Sequence, residues 1–247
     1  MVTKDRFDAL LGDAGLAGDY EKFSVYCGML QEWNQRMNLT AITDDEGVAV
    51  KHFLDSLLPL TMWQPPEGAA LIDVGTGAGF PGMPMKLLRP DLSLTLLDSL
   101  QKRLNFLDAL CGELGVKAAL VHARAEDAGH GPHHRERYDV ATSRAVAGMG
   151  ILAEYCLPLL RVGGVLLALK GSSGKEEARE GGEAIALCGG RVQEVKEYTL
   201  PGGDKRTLVV VEKVSATPKK YPRRAGQLRG ASPATPPAAA GNKSSLL

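Results

Sequence analysis

The sequence predicts an α/β protein: a seven-stranded, mostly parallel sheet with helices on both faces, ending in an antiparallel hairpin and preceded by a helical segment. Three observations carry this expectation. From Leu71 onward short apolar runs of strand type alternate with helical patterns, the signature of a parallel sheet built from crossover units. The first such run, Leu71-Ile72-Asp73-Val74, passes straight into a loop containing Gly75, Gly77, Gly79 and Gly82. The last two runs are joined only by Leu200-Pro201-Gly202-Gly203-Asp204-Lys205-Arg206, which is rich in turn residues and too short to hold a crossover helix.

Taken in order, the chain opens with helix. Between Asp19 and Met37 the residues Phe23, Tyr26, Cys27, Leu30, Trp33 and Met37 recur at helical spacing and form one stripe for burial. Asn38 to Thr43 breaks that rhythm. Asp44 and Asp45 then offer a cap for a helix to about Leu58, with Val48, His52, Leu54, Asp55 and Leu58 on one side. Strands are expected at 71–74, 93–98, 117–122, 138–142, 164–170, 191–199 and 207–213. The main helices between them fall at 100–114, 148–160 and 174–187. Pro81 suits a first helical turn that runs on through Met83, Met85, Leu87 and Leu88 to Arg89-Pro90. The chain therefore divides into a helical segment (1–66), an α/β core (67–214) and a basic, Pro/Ala-rich tail (215–247), expected to be flexible because it has too little apolar surface to bury.

Composition narrows the class of protein. With 247 residues and 44% hydrophobic content, one α/β domain with an added segment is the natural size. The start, Met-Val-Thr-Lys-Asp-Arg, lacks a signal-peptide stretch and no apolar run reaches membrane-spanning length, so a cytoplasmic protein is expected. Cys27, Cys111, Cys156 and Cys188 stand apart with no Cys-x-x-Cys pair and are read as reduced core residues. His130, His133 and His134 crowd one loop without ligand spacing, so no metal is expected. The formal charge is zero, yet residues 214–247 carry six basic side chains and no acid, leaving 23 basic against 29 acidic residues before them. Lys219, Lys220, Arg223 and Arg224 thus form a cationic arm, either a solubilising end or a nucleic-acid contact. Few aromatic residues are available for base stacking, so any grip on RNA rests mainly on charge and shape. No exposed apolar face is evident, and a monomer is expected.

The glycine loop implies a ligand. Gly77-x-Gly79-x-x-Gly82 satisfies the dinucleotide fingerprint, while Asp73-x-Gly75-x-Gly77-x-Gly79 fits an S-adenosylmethionine loop equally well, and a purely structural turn remains open. A carboxylate at the strand end welcomes an ammonium and a sulfonium but repels a pyrophosphate. Because ligands lie beyond the carboxyl ends of such strands, Asp98 at the end of the second strand is placed to accept hydrogen bonds from ribose hydroxyls, or else to cap the helix after it. Ala125 and Glu126 after the third strand can flank an adenine, or else Glu126 only starts the next turn. Arg144 after the fourth faces the same crevice or forms a surface ion pair. His52 and Asp55, three apart on a helix, also make a ready structural pair. A final reversed strand is a hallmark of the Rossmann-like class I methyltransferases.

Asn38-Leu39-Thr40-Ala41-Ile42, Lys51-His52-Phe53-Leu54-Asp55-Ser56-Leu57, Asp73 to Gly82, Leu97-Asp98-Ser99 with Lys102-Arg103, Ser143-Arg144-Ala145, Leu169-Lys170-Gly171 and Pro218 to Gly226 occur in that order. Together they resemble the bacterial 16S ribosomal RNA guanine-N7 methyltransferase G family, over roughly residues 20–226. The resemblance implies S-adenosylmethionine as cofactor and methylation of N7 of a guanine in the decoding-region loop of 16S ribosomal RNA, on the RNA, the 30S subunit or an assembly intermediate. It implies a cofactor pocket of Gly75, Phe80, Ala125, Glu126 and Arg144, completed by Gly77, Gly79 and Asp98, with Asp73 at the strand end. Asn38, His52, Arg144 and Lys170 are candidates for the substrate-facing wall, and Lys102 and Arg103 for phosphate contacts. N7 of guanine has a free lone pair and no proton, so no obligatory general base is expected. The competing readings are a methyltransferase of the same fold acting on another RNA, a protein or a small molecule, a non-catalytic RNA-binding module, and a dinucleotide enzyme.

Overall fold

The computed structural model describes residues 1–224. Helices α1 (Lys4–Gly12) and α2 (Tyr20–Met37) open the chain. They are followed by a continuous helical run of α3 (Asp45–Gly47), a π-helical stretch Val48–Leu54, α4 (Asp55–Leu57) and α5 (Pro59–Met62). Then come β1 (Ala70–Val74), α6 (Gly82–Leu88), β2 (Ser93–Asp98), α7 (Gln101–Leu114), β3 (Ala118–His122), α8 (Ala125–His130), β4 (Tyr138–Arg144) and α9 (Met149–Cys156). β5 (Leu160–Lys170), α10 (Gly174–Glu180), α11 (Gly182–Leu187), β6 (Gly190–Thr199) and β7 (Lys205–Lys213) complete the fold. No described helix is long and apolar enough to cross a membrane.

The strand order is β3-β2-β1-β4-β5-β7-β6. β1 to β5 run parallel, while β7 is antiparallel to both β5 and β6. The order reverses direction at β1, between β2 and β4, which opens a crevice beyond the carboxyl ends of those strands. Successive strand residues face opposite layers. Leu71, Leu94, Leu96, Val140 and Leu167 pack into the cluster that holds α1, α2, α6 and α7, whereas Ile72, Val74, Leu97, Ala141 and Leu166 pack into the one that holds α9 and α11. The N-terminal helices join the first cluster through a chain of rings, Phe7 to Phe23 (centroids 5.1 Å), Phe23 to Phe53 (4.9 Å), and Tyr26 stacked on Phe80 (5.2 Å). They form one wall of the crevice.

Two expected helices are shorter in the structure. The one expected over 148–160 ends at Cys156, because Pro158 has no amide hydrogen to continue it, and Leu157–Leu159 form a 3-10 turn into β5. The one expected over 174–187 is broken at Gly181, where a Cβ would lie 2.8 Å from Met149 Cβ and 2.9 Å from Gly150 N, so close contact with α9 interrupts it.

The composition-based tail boundary also differs from the structure: residues 215–224 are docked on the core. Arg135 clasps them, donating to Tyr221 O at 3.0 Å and Thr217 O at 2.6 Å as well as to Gly129 O at 2.7 Å. His130 Nε2 donates to Pro222 O at 2.8 Å, and Arg223 donates from its backbone and guanidinium to the buried carboxylate of Glu154. Backbone carbonyls hold this segment, and composition carries no trace of them. Residues 225–247 lie outside the described residues.

Replacing Arg135 by Ala strips those carbonyls of a charged donor. Global stability in urea should fall by about 1.5–3 kcal/mol, and limited proteolysis should cut first within 215–224. An unchanged cleavage pattern would show that the clasp is not what holds the segment.

Candidate active site

The crevice contains a cavity of about 440 Å³ at the ends of β1, β2 and β4, floored by the loop from Val74 to Ala78. Gly75 N and Thr76 N donate to Leu97 O at 2.8 and 3.1 Å, stitching the loop to β2. Asp98 is buried and bridges three partners: Oδ2 accepts from Gly77 N at 2.9 Å, Oδ1 accepts from Leu100 N at 2.9 Å, and Arg103 Nη1 approaches Oδ2 at 3.2 Å. It therefore fixes the loop and starts α7 at once, with its carboxylate still on the cavity wall.

The three glycines with positive φ do different jobs. A Cβ on Gly75 would meet Val146 Cγ2 at 2.6 Å, and one on Gly79 would meet Tyr26 OH at 2.5 Å, so both serve packing within the protein. A Cβ on Gly77 would meet no protein atom within 4 Å, and Gly77 lines the cavity. This is the point at which a ligand can approach the backbone. Asp73 lies beneath the loop with no exposure and off the cavity wall. Its Oδ2 accepts from Thr76 Oγ1 at 2.6 Å and from Gly82 N at 2.9 Å, while Oδ1 is buried without a partner. Burial raises its pKa to about 6, against the lowering effect of the Thr76 and Gly82 hydrogen bonds. Since Asp73 occupies the first amide of α6, that helix end offers no cradle for a pyrophosphate.

Phe80, His52 and Arg144 form the opposite wall. His52 stacks on Phe80 with centroids 4.5 Å apart, and the Arg144 guanidinium lies 5.2 Å from the same ring. Arg144 Nη1 donates to Asp55 Oδ2 at 3.0 Å and to Lys51 O at 3.2 Å, and Nη2 donates to His52 Nδ1 at 3.3 Å. Burial, reinforced by the Arg144 charge, lowers the His52 pKa to about 4, so the imidazole is neutral near pH 7. A second cavity of about 600 Å³ adjoins the first and shares His52, Arg144, Ala145 and Val146 with it. Its wall carries Lys51, Lys170 and Arg206 against Asp55 and Glu177.

The structure thus brings Gly75, Gly77, Phe80, Asp98, Ala125, Glu126, Arg144, His52 and Arg103 to one cavity, while Gly79 and Asp73 support the loop from behind. Lys170 reaches only the second cavity, tied to Glu177 at 2.7 Å and to Ala147 O. Asn38 does not reach either: it is an exposed left-handed cap of α2 with φ 49°, and its neighbours Leu39 and Thr40 line the first cavity instead. Lys102 is exposed, with Nζ 3.5 Å from Met37 O. Lys219, Lys220 and Arg224 are exposed on the docked segment, whereas Arg223 is engaged by Glu154. Among the described residues no group of three or more His, Cys, Asp or Glu is placed to hold a metal, and the four cysteines are free. Thr40 carries no signal in the sequence apart from its motif, and Asp55 stands out there only as a structural partner for His52. Asp55, a carboxylate on the buried side of an amphipathic helix, was the signal at hand, since a buried charge needs a partner; that partner is Arg144 and not His52.

Two experiments follow from this geometry. Gly77→Ala should weaken S-adenosylmethionine binding by on the order of 10- to 100-fold in calorimetry at a stability cost of about 1–2 kcal/mol; Gly79→Ala should instead cost about 2–4 kcal/mol of stability through strain and the Tyr26 collision. For His52, the unfolded chain binds a proton near pH 6.5 and the native state only near 4, so its contribution is complete above pH 6.5 and is lost as pH falls toward 4. Denaturant unfolding at pH 7 and pH 4.5 should show His52→Gln losing about 2–3 kcal/mol less than the parent over that interval.

The family model for rRNA small subunit methyltransferase G matches residues 19–209. A ribosomal RNA small subunit methyltransferase G of Lactobacillus johnsonii is 53% identical over 212 residues, covering 83% of this chain and 88% of that one. Its counterpart in Symbiobacterium thermophilum is 51% identical over 225 residues, covering 88% and 92%. Among solved structures, TrmN from Thermus thermophilus aligns with a TM-score of 0.50 at 19% identity, covering 65% of this chain and 48% of that one, a likeness of fold alone. The sheet order with its reversed last strand is that of class I methyltransferases, whose cofactor is S-adenosylmethionine, and a cavity with an open glycine backbone and the Asp98 carboxylate on its wall fits such a ligand. With the family model spanning most of its length and relatives half identical to it, the chain belongs to the rRNA small subunit methyltransferase G family.

Proposed function

We propose that the protein methylates N7 of a guanine in the decoding-region loop of 16S ribosomal RNA, acting as a cytoplasmic monomer on the RNA, the 30S subunit or an assembly intermediate. The observation that carries this reading is the pair of joined cavities, one walled by Asp98 and Glu126 and the other by basic side chains, meeting at His52 and Arg144. Bound S-adenosylmethionine supplies a methyl group activated by its sulfonium. Gly77 and Asp98 hold the loop against which the ligand rests, with Asp98 and Glu126 offering acceptors to ribose hydroxyls and adenine. Asp73, Gly75 and Gly79 keep that loop in shape from below.

Nothing in the wall is arranged as a general base. His52, neutral and with both ring nitrogens engaged, has no free site to take a proton. Guanine N7 needs none, since it attacks through a lone pair. The residues act by positioning: Phe80, His52 and Arg144 form a rigid wall that fixes the base relative to the methyl, an effect that in favourable cases removes on the order of 7–11 kcal/mol of barrier. In A-form RNA the major-groove edge bearing N7 is too deep to reach, so the target must be looped or splayed out. Lys51, Lys170 and Arg206 in the second cavity suit its phosphates, with Lys102, Lys219 and Lys220 as outer contacts.

Transfer of labelled methyl to small-subunit RNA from a strain lacking the gene should place the label at guanine N7 in the decoding-region loop. Arg144→Ala should slow transfer by on the order of 100-fold at saturating cofactor, about 2.7 kcal/mol of barrier. Label at another base or another RNA would overturn the assignment of substrate.

A further inference from the structure

A chain of hydrogen bonds with only one allowed polarity ends at Thr40. Asp55 is buried and anchors Arg144. A guanidinium has donors only, so the contact from Arg144 Nη2 to His52 Nδ1 makes that nitrogen the acceptor. A neutral imidazole with a bare Nδ1 carries its proton on Nε2, and that proton is given to Thr40 Oγ1 at 2.7 Å. Thr40 Oγ1 also accepts from Ile42 N at 3.0 Å. A hydroxyl oxygen has two lone pairs, and both are filled. Its own proton must therefore be donated elsewhere. No described residue takes it, and Thr40 lines the first cavity next to His52, where the two cavities meet.

We propose that the Thr40 hydroxyl is a committed donor that reads O6 of the target guanine. This rests on the reading of the site given above and goes further, to base identity. Guanine and adenine present the same N7; beside it guanine carries the acceptor O6 and adenine the donor N6. A hydroxyl free to rotate and accept would pair with either base. One whose lone pairs are occupied pairs with O6 alone and meets N6–H donor to donor. The Asp55–Arg144–His52 relay makes Thr40 selective by removing its ability to accept. Asp55, Arg144 and His52 are positioning residues in this role.

The test is single-turnover methyl transfer at saturating S-adenosylmethionine to small-subunit RNA assembled by ligation with either guanine or 2-aminopurine at the target. The analogue keeps N7 and lacks O6. The parent protein should lose about 10- to 100-fold on the analogue, and Thr40→Val should lose as much on guanine, the usual range for deleting a buried hydrogen-bond partner. Thr40→Val should lose nothing more on the analogue, and Thr40→Ser should restore the parent pattern. The guanine-to-analogue ratio within one variant does not depend on the fraction folded, so a destabilised Thr40→Val still gives an answer. Losses that multiply between variant and analogue overturn the proposal. So does weakened S-adenosylmethionine binding in calorimetry that accounts for the whole Thr40→Val effect, because the hydroxyl would then serve the cofactor carboxylate. Failure of the parent protein to methylate the guanine RNA would count against the functional reading itself and is visible separately in that control.

Discussion

The buried carboxylate of Asp55 is the constraint on which the crevice depends. It comes from the N-terminal helices, yet its partners are Arg144 at the end of β4, Tyr198 on β6, whose hydroxyl donates at 3.0 Å, and Arg206 on β7 at 3.5 Å. A charge held at 2% exposure is tolerable only when paired, and removing one partner of such a group typically costs about 3–5 kcal/mol. Three parts of the chain that are distant in sequence thus share one electrostatic requirement. Satisfying it sets Arg144 against Phe80 and turns His52 into a neutral ring of fixed tautomer. The wall is rigid because the charge is buried.

The loop on the other side follows a similar logic with backbone in place of side chains. Asp73 from below and Asp98 from the side each take amides of the loop, so its shape is set before any ligand arrives. Such preorganisation lowers the ordering cost of binding. The unpartnered Oδ1 of Asp73 is the exception, an acceptor left dry beneath the loop.

Much of this architecture was legible in the sequence because its causes are local. Alternating periodicity, the glycine loop and a turn too short for a crossover are read within a dozen residues, and they placed the sheet, the crevice, and Gly77, Asp98 and Arg144 within it. What escaped depended on distance along the chain. Asp55 meets Arg144 across 89 residues and Tyr198 across 143, so helical spacing pointed to His52 as its neighbour instead. Asn38 was favoured by its motif, but it was spent on a left-handed helix cap and Thr40 took the wall. Residues 215–224 looked unable to order themselves, and they are held by donors from Arg135 and His130 to carbonyls that every residue possesses.

The chain of rings from Phe7 through Phe23 and Phe53, joined by Tyr26 to Phe80, has a genetic consequence. Phe80 is clamped between the Tyr26 ring and the His52 imidazole, so on its Tyr26 side its position is inherited from residues that line neither cavity. Inactivating substitutions should therefore be scattered back to the first helix instead of gathering at the cavity. For a selection that rewards loss of the enzyme, the gene presents a target far wider than its active site.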